Sequence, residues 1–183
     1  STFEYERMQK VITRHNVCYS PHVLDLDKYS ATQTKKREKN IVTIAWMGAK
    51  NARRKCVPEI IKAAAILKNR RINISFIIGG KIEQDAQFLK KMVDELGVSD
   101  LVKFPGPVDE KSKIELLNTC GIYLQPTLFE GFGVAISDAL LCGAPVITSK
   151  VGAVYELTNG QCTYVNGQNP DRSEERLVGK VLG

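Results

Sequence analysis

Two acidic residues and a pair of glycines are gathered in the stretch PTLFEGFGVAISDALLCGAPVITS, residues 126–149. Glu130 opens a turn that contains Gly131 and Gly133, and Asp138 follows it along the chain. Glycine permits positive φ and a close approach of backbone N–H groups to a ligand. A helix predicted over Val134–Cys142 points its N-terminus at this turn, where free N–H groups and the helix dipole favour anionic or hydroxyl-rich ligands. The stretch therefore predicts a sugar-phosphate site.

The two acids suit two different parts of such a ligand. A carboxylate beside the glycine turn, Glu130, accepts hydrogen bonds from sugar hydroxyls, and Asp138, one to two turns into the helix, reaches a second diol such as a ribose. Two plainer interpretations stay open: Glu130 as an acid that stabilises the helix N-terminus, and Asp138 as a surface acid. Phe132 is expected to pack rather than to stack on a ligand.

Basic residues are concentrated between positions 50 and 71, a segment that contains eight lysines and arginines and a single acidic residue, Glu59. The first part of this segment, GAKNARRKC (48–56), directly follows a predicted strand, so Arg54 or Lys55 at its end can neutralise a diphosphate. A merely solvated loop is the alternative. GxGxxG and GxxxxGK[ST] are both absent, which disfavours a nicotinamide or flavin site and a P-loop. Aromatic residues are not interleaved with the cations, so nucleic acid is not an expected partner.

Composition sets further bounds on the class of protein. The 183 residues suit one domain, and 43% apolar and 25% charged residues are ordinary for a globular chain. No apolar run approaches the roughly 20 residues that a membrane span needs, and no signal peptide is visible. The five cysteines form no CxxC pair, which argues against a zinc site or a disulfide framework. Cys120 and Cys142 are expected to be buried, and a reducing, cytoplasmic location fits.

Strands and helices alternate after residue 40. Residues 20–40 are interpreted as a linker, and buried strands are predicted at 41–47, 72–78, 101–104, 121–126, 145–149 and 162–165. Helices are predicted at 58–68, 84–96, 110–120, 134–142 and 154–157, with a last one ending near Leu182 and begun by Asp171 or Ser173. A short N-terminal helix before His15-Asn16 is followed by an extended run, Val17–Tyr19. This order predicts an α/β fold, a doubly wound parallel sheet of about six strands. Its carboxyl edge would bring together the turns at 48–55, 79–81 and 129–133.

The stretch from Pro126 to Leu157, PTLFEGFGVAISDALLCGAPVITSKVGAVYEL, resembles the signature of the retaining GT-B glycosyltransferases, a group also called family 4 or glycosyl transferases group 1. The resemblance extends over residues 41–182, with the Gly48 loop, the FxG turn at 104–106 and SxxGxxxE at 149–156. SPHVLDLDKY (20–29) resembles the connection between the two Rossmann-like domains of that family. It implies that 1–40 is this connection with a remnant of the N-terminal domain, and that 41–183 is the donor-binding domain.

The resemblance also implies roles for individual residues. Glu130 would be the catalytic-site acid that contacts the donor sugar hydroxyls. The other expected contacts are the backbone of Gly131, Phe132, Gly133 and Val134 for sugar and phosphates, Asp138 for the ribose, Gly48, Arg54 and Lys55 for the diphosphate, and Pro107 and Val108 for the nucleobase. No metal or other cofactor is expected, because cationic side chains and the helix dipole neutralise the leaving diphosphate.

Three residues depart from the family pattern: Asp138 stands where the family has Glu, Ala49 replaces an Arg that binds diphosphate, and Cys56 replaces a Gly. Lys50, Arg53 or Arg54 can take the place of the missing Arg. Because nearly all of the acceptor-binding domain is absent, we expect the isolated chain to bind a nucleoside diphosphate sugar but to transfer little to a saccharide or lipid-linked acceptor. The alternatives are a non-catalytic nucleotide-sugar-binding subunit and another GT-B-like enzyme, such as a sugar-nucleotide epimerase or a glycan phosphorylase. Peripheral membrane contact is an expectation from the resemblance only.

Overall fold

A computed structural model describes residues 1–12, 24–29, 36–165 and 173–182, with the side chains of Ser173 and Glu174 left aside. Three sequence predictions lie outside these ranges: the helix end at His15-Asn16, the extended run Val17–Tyr19 and the cap at Asp171. In the described part of the chain, no helix has the length and apolar character that crossing a membrane requires.

A single parallel sheet carries the fold of the described residues. Its strands are β1 (Asn40–Ile44), β2 (Ser75–Gly79), β3 (Val102–Lys103), β4 (Ile122–Gln125), β5 (Val146–Ser149) and β6 (Thr163–Val165). They are ordered β3-β2-β1-β4-β5-β6, and each neighbouring pair is parallel. The predicted doubly wound sheet of six strands is confirmed. Because β1 is followed in space by β2 on one side and β4 on the other, the switch point of the topology lies between β1 and β4.

Helices pack on both faces of the sheet. They are α1 (Thr2–Gln9), α2 (Ala49–Arg54), α3 (Val57–Asn69), a 3₁₀ turn at Gln84–Ala86, α4 (Phe88–Glu95), α5 (Glu110–Thr119), α6 (Val134–Leu141), α7 (Val154–Thr158) and α8 (Ser173–Leu182). The apolar faces of α3, α4 and α8 belong to one core cluster, and those of α5 and α6 belong to a second. Strands β1, β4 and β5 contribute alternate side chains to both clusters. Cys120 and Cys142 lie in or beside the second cluster as predicted, and both thiols are free.

The segment after β1 is where the structure corrects the sequence prediction. Residues 49–54, predicted as part of a loop, form the short helix α2. Ala52 is fully buried on its inner side, and the Asp85 carboxylate accepts a hydrogen bond from the Ala49 N–H at 3.1 Å. A six-residue stretch shows no helical hydrophobic period, and its cap comes from a residue distant in sequence, so the pattern that identifies longer helices is missing.

The segment before β1 also contacts the sheet domain. Tyr29 is buried among residues of α5 and α6, and its hydroxyl donates a hydrogen bond to Glu110. Arg37 donates hydrogen bonds to the carbonyl oxygens of Cys120 at 2.9 Å and Cys142 at 3.2 Å, at the C-terminal ends of α5 and α6. The described parts of this predicted linker are therefore bonded to the two helices that flank β4.

Candidate active site

The chain segments that follow β1 and β4 meet at the switch point. The Arg54 carbonyl oxygen, at the end of α2, accepts hydrogen bonds from the Leu128 N–H at 2.8 Å and the Thr127 hydroxyl at 3.1 Å. These bonds fix the basic segment against the loop that leads into Glu130. Two of the three turns predicted to converge at the carboxyl edge are thus in direct contact.

Glu130 is the centre of this contact. Its carboxylate is mostly buried, with 12% of the side chain exposed, and its Oε2 atom accepts from three donors: Lys55 Nζ at 2.5 Å, Arg54 Nη1 at 3.4 Å and Gln125 Nε2 at 3.4 Å. Within the described part of the chain no hydrogen bond reaches the Oε1 atom, and this oxygen is not among the fully buried unpaired ones. One oxygen of Glu130 is therefore held by the protein, while the other is left open to accept from a ligand.

Lys55 and Arg54 are held in different ways. Burial is the largest effect on Lys55 and lowers its pKa, while Glu130 opposes that shift as its ion-pair partner. The Arg54 guanidinium is a third exposed and is oriented by Asn51 Oδ1 at 2.7 Å and by the Phe129 carbonyl oxygen at 2.6 Å. The Glu130 carboxylate is therefore paired with two cations, the buried Lys55 ammonium and the partly exposed Arg54 guanidinium. The group has a net positive charge that suits an anionic ligand.

One of the two glycines of the glycine-rich turn, Gly133, has the positive φ that glycine permits. Gly133 precedes α6 with φ +98°, a left-handed conformation in which a side chain would be strained. Behind the turn, the Glu130 carbonyl oxygen accepts from the Ala153 N–H at 3.0 Å, and Gly152 lies so close that a Cβ there would meet this oxygen at 2.2 Å. Phe132 is half-buried, and Val134, the first residue of α6, is 42% exposed.

The helix α1 covers part of the same turn. The Ser1 hydroxyl donates to the Gly131 carbonyl oxygen at 2.9 Å, and the Phe3 and Phe129 rings lie 6.1 Å apart. Glu156, in the SxxGxxxE stretch, accepts from the Thr2 N–H at 2.9 Å, and this bond helps to lower the pKa of its carboxyl. The N-terminal segment therefore contributes to the surroundings of the turn.

Asp138 is not a surface acid. Its side chain is 4% exposed and its Oδ2 atom lies 3.1 Å from Lys113 Nζ, on α5. Burial acts to lower the pKa of Lys113, but hydrogen bonds with Tyr29, Asp138 and Glu110 outweigh it, and the pKa is raised. Lys113 is a candidate site residue that the sequence does not predict, because nothing in the spacing of α5 indicates that this lysine faces α6.

Both acids influence the fully buried Tyr123 at the middle of β4. Burial raises the pKa of its hydroxyl, and the charges of Asp138 and Glu130 raise it further. The tyrosine hydroxyl therefore stays protonated and donates to Gln125 Oε1 at 2.7 Å. In the sequence, Tyr123 and Gln125 are predicted only as residues of a strand, and nothing there indicates a role at the site.

Pro107 and Val108 line a cavity of about 430 Å³ between β2, β3 and α5. Val108 lies over the end of β2, where a Cβ on Gly79 would come within 2.7 Å of its Cγ2 atom. Polar groups at the cavity are Lys103, Asp109 and Ser112, of which Asp109 also caps α5 through the Ser112 N–H. An apolar cavity with a few polar groups fits a planar ligand group.

Gly48 lies in a second cavity, of about 340 Å³, beside α2. Its lining includes Trp46, Lys50 and Arg54, and the Trp46 ring lies 3.6 Å from the position of a Cβ on Gly48. Gly48 precedes α2 in an extended conformation with φ −77°, which any residue can adopt. What glycine provides at this position is the absence of a side chain.

Two departures from the family pattern have clear places in the structure. Cys56 has φ +54°, the left-handed conformation for which glycine is the ordinary residue, and burial raises the pKa of its thiol to about 12. Ala49 begins α2, with its N–H bonded to Asp85. Among the described residues no three His, Cys, Asp or Glu side chains are grouped in a way that could hold a metal ion.

Comparison with known proteins agrees with this architecture. A D-inositol 3-phosphate glycosyltransferase from Arthrobacter sp. (strain FB24) is 30% identical over 98 residues, which are 52% of this chain and 23% of that protein. The chain thus spans about a quarter of the length of the curated relatives it matches. The C-terminal domain of a group 1 glycosyl transferase, LpcC from Francisella tularensis, superposes with a TM-score of 0.69 at 19% identity. The superposition covers 87% of this chain and 86% of the LpcC chain.

The Anabaena protein Alr3699/HepE, solved with UDP and glucose, has a TM-score of 0.69 at 21% identity, covering 86% of this chain and 44% of that one. At these identities the structures show a shared fold. The profile of the family described as "Glycosyl transferases group 1" matches residues 28–177, which is most of the chain. The chain therefore belongs to the glycosyl transferases group 1 family, with the fold of a C-terminal domain of a GT-B glycosyltransferase.

Proposed function

We propose that this chain is the donor-binding domain of a retaining glycosyltransferase, which uses a nucleoside diphosphate sugar as donor. The observation that carries the proposal is the state of Glu130: its Oε2 atom is held by Lys55, Arg54 and Gln125, and its Oε1 atom is open. A fixed carboxylate with one free oxygen, at the switch point of a parallel sheet, is suited to accept from sugar hydroxyls.

The other contacts follow the arrangement around Glu130. Lys55, Arg54 and the backbone at Gly48 are assigned to the diphosphate, because the two side chains give the site its net positive charge. The backbone of the turn, Gly131, Phe132, Gly133 and Val134, is assigned to the donor sugar and phosphates at the N-terminus of α6. The leaving diphosphate would then be stabilised by side-chain cations and helix N–H groups, without a metal ion.

Two assignments concern the nucleoside. The cavity beside Pro107 and Val108 is assigned to the nucleobase. Asp138 is assigned to the ribose, which requires its ion pair with Lys113 to open or to shift, because the carboxylate is almost fully buried. Support for a nucleotide as the ligand comes from the related fold of Alr3699/HepE, which was solved with UDP and glucose.

Residues 1–40 are proposed as the connection to an N-terminal domain that binds the acceptor, a saccharide or a lipid-linked saccharide. Transfer needs both substrates in one cleft. The chain alone is therefore expected to bind the donor and to transfer little or nothing; robust transfer by the purified chain would overturn this part of the proposal.

The test of the proposed function is a binding panel. Thermal shifts with UDP, GDP, ADP and their glucose conjugates rank the nucleotides, since a ligand that binds the folded state raises the melting temperature by mass action. Glu130→Gln keeps the shape of the side chain and removes its charge. We expect it to weaken the sugar nucleotide about tenfold, the scale of a lost charge-assisted hydrogen bond, while the parent diphosphate binds at least as well.

Glu115→Gln, on the exposed surface of α5, is the matched control and is expected to change neither affinity. Absence of any nucleotide-dependent shift in the wild-type chain would contradict the proposed function. Equal weakening of diphosphate and sugar nucleotide by Glu130→Gln would contradict the role of Glu130 alone.

A further inference from the structure

The end of β4 contains a buried polar pair directly behind Glu130. Tyr123 and Gln125 are separated by one residue in the strand, so their side chains lie on the same face of the sheet. Neither is exposed to solvent, and the Tyr123 hydroxyl lies 2.7 Å from Gln125 Oε1. Two uncharged polar side chains at fully buried strand positions require hydrogen-bond partners, since an unpaired polar group there destabilises the fold.

The hydrogen bond from Tyr123 determines which way the Gln125 amide faces. A protonated tyrosine hydroxyl donates to the amide oxygen, and this places the amide NH₂ group toward Glu130 Oε2, 3.4 Å away. The opposite orientation would bring the amide oxygen against the carboxylate, and the two acceptors would repel each other. The strand end itself is fixed, because Gln125 O accepts from the Thr148 hydroxyl at 2.9 Å.

We infer that Tyr123 and Gln125 are positioning residues for Glu130. The chain of bonds from Tyr123 through Gln125 to Glu130 Oε2 orients the carboxylate and directs its open Oε1 atom toward the donor sugar. Lys55 and Arg54 bind the same Oε2 atom, but both are assigned to the diphosphate as well, so their bonds to Glu130 weaken when the ligand binds. Gln125 is the uncharged donor among the three. A diphosphate does not compete for it as it does for the two cations, so its bond to Glu130 persists in the ligand-bound state.

This inference rests on the proposed function, and its test separates the two. The probes are the best-binding glucose conjugate among UDP-glucose, GDP-glucose and ADP-glucose, and its parent diphosphate, each titrated by calorimetry. Tyr123→Phe keeps the ring in the core and removes only the hydroxyl that orients Gln125. We expect it to weaken the sugar nucleotide about three- to tenfold, the scale of one hydrogen bond, and to leave the parent diphosphate within about twofold.

Thr148→Val is the matched control, because it also removes one fully buried hydroxyl bonded to Gln125, but at the backbone carbonyl instead of the amide. A comparable fall in melting temperature is expected for both variants. Of these two, only Tyr123→Phe is expected to weaken the sugar nucleotide while leaving the parent diphosphate unchanged. Gln125→Leu, which removes the amide altogether, is expected to show the same selective loss as Tyr123→Phe.

The outcomes distinguish the two proposals. Equal effects of Tyr123→Phe on the two ligands, or a selective loss in Thr148→Val as well, would overturn the positioning role while the proposed function stands. A selective loss in Glu130→Gln with none in Tyr123→Phe or Gln125→Leu would do the same. If the wild-type chain binds none of the probes, the proposed function and the positioning role fall together.

Discussion

The Lys113 ammonium lies 3.1 Å from the Asp138 carboxylate and joins α5 to α6 through an ion pair that is almost entirely buried. Asp138 is the second acid of the signature stretch, and its partner is supplied by a helix that precedes that stretch in sequence. The pair thus connects Asp138, the residue proposed to bind the ribose, to α5.

Removing one member of this pair is expected to cost more stability than replacing both. Lys113→Met leaves a buried carboxylate without its cation, which is expected to destabilise the fold by about 3 kcal/mol or more, while Lys113→Met with Asp138→Leu recovers most of this loss. Urea unfolding measures both changes. Lys111→Met, exposed on the same helix, is the control and is expected to change stability by less than about 0.5 kcal/mol.

Glu110 makes part of the free energy of unfolding dependent on pH. The hydrogen bond from Tyr29, followed by bonds to Lys113 and Lys28, lowers the pKa of Glu110 to about 2. A folded-state pKa below the unfolded value contributes stability that is present above pH ~4.3 and is lost as the pH falls toward 2. Since 43% of the side chain is exposed, solvent screening limits this contribution to less than about 1 kcal/mol.

Unfolding of the wild type and of Glu110→Gln, measured between pH 6 and pH 2, checks this dependence. The stability difference between the two proteins should shrink as the pH falls. Tyr29→Phe should reduce the acid dependence as well, because it removes the largest cause of the shift. A difference that is constant over this pH range would show that Glu110 does not titrate at a lowered pKa.

Gly152 and Gly97 offer a matched test of the packing behind the glycine-rich turn. Both have positive φ, +55° and +63°, but a Cβ at Gly152 meets the Glu130 carbonyl oxygen at 2.2 Å. At Gly97, by contrast, no atom of the described residues beyond its chain neighbours lies within 4 Å of a Cβ. Gly97→Ala is expected to cost about 1 kcal/mol for its backbone conformation alone. Gly152→Ala should cost about 2 kcal/mol more and weaken sugar-nucleotide binding, because it displaces Glu130. Equal destabilisation of the two variants in thermal unfolding would contradict the clash.

Lys55→Ala tests the diphosphate assignment. Loss of a charge-assisted hydrogen bond is expected to weaken nucleoside-diphosphate binding by about 1–3 kcal/mol in calorimetry. Lys90→Ala removes the same charge from the exposed face of α4 and serves as the control. Unchanged affinity in Lys55→Ala, with wild-type binding intact, would argue against a phosphate contact.

The sheet could be predicted because its signal is local. Runs such as IVTI and VITS, rich in apolar and β-branched residues, identify strands without knowledge of their neighbours, and the alternation with helices then determines the parallel topology. The prediction that 41–47 is one strand was too long, because β1 ends at Ile44 and Met47 forms only an isolated bridge with Ile82.

The candidate site was predictable where a motif or a local excess of charge marks it in the sequence. Glu130 and its two cations were identified from motif and charge, and the structure brings them together. Lys113, Tyr123 and Gln125 could not be, because their importance comes from contacts between elements that are distant in sequence or from a hydrogen bond inside a strand. The helix α2 was missed for the same reason, since its cap is supplied by Asp85.

Arg37 also determines where this domain can be cut. Its guanidinium binds carbonyl oxygens at the ends of two helices, including Gly143 O at 2.5 Å, and those oxygens have no helical partner of their own. An expression fragment that starts at Asn40, the first residue of β1, would lose both these bonds and Tyr29. A fragment for crystallisation or ligand screening should therefore begin upstream of Asp25, so that both side chains are retained.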